Sequence, residues 1–256
     1  MSTVLIDDPT IAPAQAPLPW QVHRYEDVGS TNDLAARLDA WHVVVARRQS
    51  HGRGRHGRAW VSGEGGVWVS AVLPTPGPAE PWSVLPLVAG WALREMLRTF
   101  GLTNARLRWP NDVMVGRAKL AGILVERFRA DTAVIGFGLN YLNDPAAHDP
   151  ALAGQAVRLA DLVDPLPDRE ELLMAALAYL QFAQRRIAMG ETASLLPTLN
   201  QAWSSNRVLV TLRPIQTQIA GAFRGVTAEG HLRVCDDAGA EYVLPPAQVE
   251  LLREVA

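Results

Sequence analysis

Residues 108–128 read RWPNDVMVGRAKLAGILVERF. Val113, Met114 and Val115 form a short apolar run, Gly116-Arg117 is a turn pair, and 120–125 is a second apolar run. Pro110 fixes its own φ and offers no amide donor, so Trp-Pro-Asn-Asp reads as a strand broken by a rigid turn that presents Asn111 and Asp112. ARLRW precedes this stretch at 105–109 and TAVIGFGL follows at 132–139. The four runs predict an antiparallel meander, and the helices and strands around it decide the fold class.

Upstream, 21–26 predicts a short strand. Ser30-Thr31-Asn32-Asp33 has the serine-to-acid spacing of a capping box ahead of LAARLDAW, which places a helix start at Ser30. A buried strand at 42–48 (HVVVARR) runs into SHGRGRHGRAW at 50–60, whose glycines and arginines exclude regular structure. A strand at 67–73 and a helix at 84–100 follow, the helix carrying Leu85, Val88, Ala92, Met96 and Phe100 on one face and ending at Gly101. Beyond the meander come a loop at 143–155, helices at 169–189 and 193–203, and then strands only: RVLVTL, TQIAGAFRGV, HLRVCD and EYVL. The expected class is α+β: a mixed, largely antiparallel sheet with helices, plus a small C-terminal β-barrel. Expected units are a flexible tail at 1–20, a large domain at 21–203 and a small domain at 204–256.

The 256 residues are 48% hydrophobic and 20% charged, enough for a full core, and the formal charge of −2 argues against general nucleic-acid or membrane binding. Cys235 is the single cysteine, so no intrachain disulfide or cysteine-rich metal site is possible and a reducing compartment fits. The N-terminal MSTVLIDDPTIAPAQAPLP lacks the basic and apolar segments of a signal peptide, and no run is long enough to span a bilayer. A cytoplasmic protein is expected.

Positive charge is concentrated locally. Arg47, Arg48, Arg53, Arg55 and Arg58 share twelve positions with two histidines and no acid. Glycines at 52, 54 and 57 let the backbone adopt positive φ and approach a ligand, while guanidinium forks suit phosphate or carboxylate. The loop therefore predicts an anion site, with a solvated basic loop or RNA patch as the alternative. Asp112 is a candidate partner for an arginine or a magnesium ion. Lys119 is the only lysine among 24 basic residues, which leaves 23 arginines. An ammonium on a thin stem enters a closed pocket that a planar fork does not, and Ala121 and Gly122 leave little bulk beside it. Close strand packing is the alternative reading of those two small residues.

Five segments together resemble the biotin protein ligases, also called biotin–[acetyl-CoA-carboxylase] ligases: STN at 30–32, QSHGRGRHGRAW at 49–60, RWPND at 108–112, KLAGILVE at 119–126 and GFGLN at 136–140. The resemblance implies the biotin/lipoate ligase catalytic fold with an SH3-like C-terminal domain. It further implies an ATP- and Mg²⁺-dependent reaction that forms biotinyl-5′-AMP and then biotinylates a lysine of a biotin carboxyl carrier protein, such as that of acetyl-CoA carboxylase. By the same resemblance Lys119 and Arg55 are catalytic. Ser30, Thr31, Asn32, Gln49, Gly52, Arg53, Gly54, Arg55, Lys119, Gly122, Leu124 and Gly138 bind biotin. Arg53, Arg55, Arg58, Trp60, Asn111, Asp112, Lys119 and Asn140 bind ATP or the adenylate, and Mg²⁺ travels with ATP, with Asp112 as its one candidate protein contact.

Arg108 stands where the family motif commonly has lysine, and the segment after Asn140 matches no individual contacts. Relatives that repress transcription carry an N-terminal winged helix, and only about twenty residues precede the match, so no repressor function or DNA contact is expected. A lipoate or octanoate ligase or transferase of the same fold is the enzymatic alternative. Exposed edges of the meander leave a homodimer open.

Overall fold

The computed structural model describes residues 19–203, 207–214 and 216–255. The expected boundary at 204 and residues 1–18 of the expected tail lie outside them. Trp20, assigned to that tail, is already packed edge-on against Trp41 with 5.0 Å between ring centroids.

Seven strands make the main sheet: β1 (Gln21–Val28), β2 (His42–Gln49), β3 (Val67–Pro74), β4 (Ala105–Arg108), β5 (Asp112–Val115), β6 (Ala118–Glu126) and β7 (Thr132–Leu139). Their spatial order is β1-β2-β3-β7-β6-β5-β4. Only β1 and β2 run parallel; each other neighbouring pair is antiparallel, and β4 to β7 form the expected meander. Among the described residues the α-helices are α1 (Thr31–Ala35), α2 (Leu85–Thr99), α3 (Pro145–His148), α4 (Arg169–Ala188) and α5 (Leu196–Gln201).

Strand alternation divides the sheet into two unlike faces. On one face Val43, Val69, Ala71, Ala121, Ile123, Ile135 and Phe137 join the main core beneath α2 and α4, where Trp91 packs on Tyr179 and Phe182. On the other, Val44, Val72 and Val134 meet Ala35 of α1 in a small separate cluster. Along that second face the same alternation continues into Ser70, Gly122, Gly136 and Gly138, which bring almost no side-chain volume. Beside a short helix the sheet is therefore left with a depression.

The five C-terminal strands β8 (Arg207–Leu212), β9 (Gln218–Val226), β10 (Leu232–Asp236), β11 (Glu241–Leu244) and β12 (Val249–Glu254) form an antiparallel sheet in the order β11-β10-β9-β8-β12. It is not closed, with β11 and β12 as its edges, and is consistent with the expected SH3-like domain. Strand β12 was not foreseen; Val249 and Leu252 anchor it in the core.

Two helices are shorter than the sequence suggests. The first, α1, ends at Ala35, and α5 starts only at Leu196, after a separate 3₁₀ turn at Thr192–Ser194 and with Pro197 in its first turn. The end of α5 covers the β4 edge of the meander, with the Leu107 amide donating to the Ala202 carbonyl at 2.6 Å. No helix among the described residues is long and apolar enough to cross a membrane.

Candidate active site

The depression opens into a cleft of about 420 Å³, within the range of small-ligand sites. It is walled by the start of α1, the arginine-glycine loop, the β4–β5 turn, β6, β7, the loop after Asn140 and β12. All of the expected site residues line it except Gly52. Gly52 acts through close packing, since a Cβ there would lie 2.4 Å from Ser62 Oγ and 2.6 Å from the Trp60 carbonyl oxygen.

At the α1 end Thr31, Asn32, Gln49, Ser62 and Ser70 form a network of neutral groups. Thr31 donates from its amide (2.8 Å) and its hydroxyl (3.0 Å) to Gln49 Oε1, and Gln49 Nε2 donates to Ser62 Oγ at 2.9 Å. Asn32 Nδ2 donates to Glu126 at 2.7 Å, while Ser70 Oγ lies 2.5 Å from Asn32 Oδ1 and 2.7 Å from Thr31 Oγ1. Asn32 fits here because residue 136 is glycine: a Cβ there would come within 2.1 Å of Asn32 Oδ1. The capping box does not form. Ser30 has extended N-cap geometry but makes no side-chain cap bond, leaving its hydroxyl to the cleft, and Asp33 is taken by Arg53 at 2.6 and 2.8 Å. That guanidinium holds the Asp33 carboxyl below its ordinary range.

The opposite end is ionic. Asp112, at the start of β5, receives Lys119 Nζ at 2.6 Å on one oxygen and Arg108 Nη2 at 2.7 Å on the other. Burial pushes its carboxyl up, but Lys119 and Arg108 outweigh burial and hold it below the usual carboxylate range. Both of its oxygens are occupied by cations in this structure, so a magnesium contact at Asp112 would require Lys119 or Arg108 to turn away. Among the described residues no group of three or more His, Cys, Asp or Glu is placed to hold a metal.

Lys119 Nζ also lies 4.7 Å from the Trp60 ring centroid. A Cβ at Gly122 would lie 2.9 Å from Lys119 Cε and 3.0 Å from Trp60, and one at Gly138 would lie 2.2 Å from Trp60 Nε1. Trp60 thus rests on a glycine floor and lines the cleft, with its Nε1 buried and without a hydrogen-bond partner among the described residues. Ala121, expected beside the lysine, faces the core.

Asn111 and Asn140 hold backbone. Asn111 Nδ2 donates to the Ile123 carbonyl at 2.7 Å and pins the turn to β6; Asn140 Nδ2 donates to the Lys119 carbonyl at 3.2 Å. The segment after Asn140, unassigned from sequence, runs beside β6, with the Lys119 amide donating to Gln155 and the Val157 amide donating to Lys119.

The arginine loop is far less basic than its composition. Arg47 pairs with Glu26 and Glu64, Arg48 with Asp27, Arg53 with Asp33, and Arg58 with Glu250. Arg55 makes no ion pair among the described residues; its Nη2 donates to the Pro246 carbonyl at 2.9 Å, from the C-terminal segment. Burial lowers its pKa, with nearby Asp112 opposing, and a guanidinium stays charged regardless. Of the three loop glycines, only Gly57 has positive φ, at 70°. Sequence reasoning missed Ser62, Ser70, Glu126 and β12; the alternating VELLRE was the one legible trace of that strand.

The Biotin/lipoate A/B protein ligase family profile matches residues 27–140. The biotin–[acetyl-CoA-carboxylase] ligase of Mycobacterium tuberculosis is 33% identical over 86% of this chain and 84% of its own length. That of Paracoccus denitrificans is 32% identical over 86% of this chain and 96% of its own. Among solved structures, the biotin protein ligase of Aquifex aeolicus in complex with biotin and ATP superposes with a TM-score of 0.78 over 91% of this chain and 99% of that one, at 24% identity, a likeness of fold. With near-full-length relatives above 30% identity and this cleft, the chain belongs to the biotin protein ligase family.

Proposed function

We propose that the protein is an ATP-dependent biotin protein ligase acting on a biotin carboxyl carrier protein, and that the two ends of its cleft divide the substrate between them. The neutral end, with Ser30, Thr31, Asn32 and Gln49, takes the biotin rings. The ionic end, with Arg55 and Lys119, takes the carboxylate and phosphates. One observation carries this reading: among the described residues Arg55 is the loop arginine without a carboxylate partner, and it lines the same cleft as Lys119, within electrostatic reach of Asp112.

In the first step a biotin carboxylate oxygen attacks the α-phosphorus of ATP, and pyrophosphate leaves with the electrons of the broken P–O bond. Lys119 turns from Asp112 to the anionic centre, and Arg108 keeps Asp112 paired. In the second step the acceptor lysine's amine attacks the acyl carbon and AMP leaves. Mg²⁺, carried by ATP, offsets phosphate charge. Fixed cations in a cleft shielded by Trp60 and the loop stabilise the charge that gathers in both transition states. We place the catalytic unit at 21–203, the accessory sheet at 204–256 and the enzyme in the cytoplasm; DNA plays no part in the proposed activity.

Pyrophosphate exchange into ATP, run with biotin, lipoate and octanoate in turn, tests the substrate. Exchange is expected with biotin; exchange only with lipoate or octanoate overturns the assignment. Arg55→Gly is expected to keep the fold and to release activated biotin, detected as label on bystander proteins, and strict labelling of the carrier alone would contradict the role of Arg55.

A further inference from the structure

Ser70 and Glu126 do not line the cleft, yet together they determine which way the hydrogen bonds at its neutral end point. Glu126, with Arg53 at 3.6 Å, is a carboxylate and only accepts. It therefore receives the Asn32 NH₂ group, which turns Asn32 Oδ1 toward Ser70. Ser70 has a single proton, is fully buried, and gives that proton to Oδ1 at 2.5 Å. Having spent it, Ser70 meets Thr31 Oγ1 as an acceptor.

The other side of Thr31 is fixed as well. The Thr31 backbone amide can only donate, so it holds Gln49 with Oε1 toward Thr31 and Nε2 toward Ser62; Ser62 passes its own proton to the Trp60 carbonyl at 2.9 Å. Thr31 Oγ1 is thus flanked by two acceptors, Ser70 Oγ and Gln49 Oε1. Its proton stays inside the protein, and its lone pairs are left for the cleft.

We propose that Glu126 and Ser70 are positioning residues that set this hydrogen-bond direction, so that Thr31 meets a ligand as an obligate acceptor and selects a ring bearing an N–H donor. The inference rests on the ligase reading: the cyclic urea of biotin carries two such N–H groups, and the dithiolane of lipoate has none. If Glu126 is replaced by glutamine, the Asn32 amide is free to turn over. Ser70 then receives a proton from Asn32 and donates its own to Thr31, consuming a lone pair that the ligand requires.

A double-mutant cycle with Glu126→Gln and Ser70→Ala tests this, using the KM for biotin and for ATP in pyrophosphate exchange together with the unfolding midpoint. Glu126→Gln alone is expected to raise the biotin KM roughly tenfold, the consequence of one mismatched hydrogen bond, with the ATP KM within about twofold. Ser70→Ala removes the group that would donate to Thr31, so in its background Glu126→Gln is expected to change the biotin KM by less than about twofold. Additive effects in the cycle, or equal losses for biotin and ATP, would overturn the inference while leaving the ligase reading intact. Failure of the wild-type protein to exchange with biotin would overturn both. Since Ser70→Ala alone lowers packing volume only slightly, its unfolding midpoint separates a folding defect from a change in recognition.

Discussion

At the α1 end of the cleft Thr31, Asn32, Gln49, Ser62 and Ser70 are neutral, and each is held by hydrogen bonds within the protein. At the β5–β6 end Asp112, Arg108, Lys119 and Arg55 are charged, and Lys119 is held by an ion pair with Asp112 that the proposed reaction requires it to leave. The neutral end is built before the ligand arrives, because oriented dipoles cost little to bury when they satisfy one another. The ionic end stores charge in pairs, because three cations facing one another across a half-buried cleft would repel unless an acid stood between them. In the proposed reaction, recognition of shape and stabilisation of charge would fall to different ends of one sheet face.

The contrast is broken most severely at its charged end. Lys119→Arg keeps the charge but sets a broad fork against Gly122 and Trp60, and pyrophosphate exchange is expected to fall about 100-fold, as for loss of a transition-state donor. Wild-type turnover would show that charge alone suffices there. Gly138→Ala attacks the floor between the two ends: its methyl would displace Trp60, at an expected cost of roughly 2 kcal/mol in urea unfolding and a weaker KM for both substrates. An unchanged unfolding midpoint would mean that the indole moves aside without loss.

Asp112→Asn leaves Lys119 and Arg108 without their shared acid. At neutral pH the variant is expected to be less stable by roughly 2 kcal/mol, between the values for exposed and buried pairs. Because the folded Asp112 pKa is depressed, its contribution is present above the unfolded value near 4 and is lost as pH falls through the lower folded value. The stability gap between variant and wild type should therefore close in acid below about pH 4, and a gap that persists there would assign the loss to packing. The smallest effect sharpens the neutral end: Ser30→Ala should shift stability by less than about 0.5 kcal/mol, since no cap bond is lost, while raising the biotin KM several-fold. A loss of about 1 kcal/mol would restore Ser30 as a helix cap.

The meander was legible because Gly116 and the Trp-Pro-Asn-Asp turn interrupt apolar runs at strand length, and it emerges with those boundaries. The site motifs were legible as residues but not as geometry. Arg53 and Arg55 are two positions apart and look equivalent, yet Arg53 pairs with Asp33 of α1 while Arg55 donates to the Pro246 carbonyl of the C-terminal segment, partners that lie far away in sequence. Asp33 looked like a capping acid for the same reason: local spacing does not show a competing guanidinium brought in by a loop. Ser70 and Glu126 gave no pattern at all, since one serine in a buried strand and one acid at a strand end are ordinary until Gly136 lets Asn32 lie between them. The C-terminal strands were legible as a small SH3-like unit, whereas closure of the sheet depends on whether β11 meets β12, which strand count does not decide.

Lys119 is the single lysine of the chain; its side chain is about three-quarters shielded, and its ammonium lies between Asp112 and Trp60. Every side-chain amine of this protein is therefore one address. An acylating reagent that consumes amines becomes a reporter of that address, its rate falling as the cleft fills and rising when Asp112 is neutralised. Occupancy of the site is then readable as label on the peptide that carries Lys119, with no lysine elsewhere to obscure it.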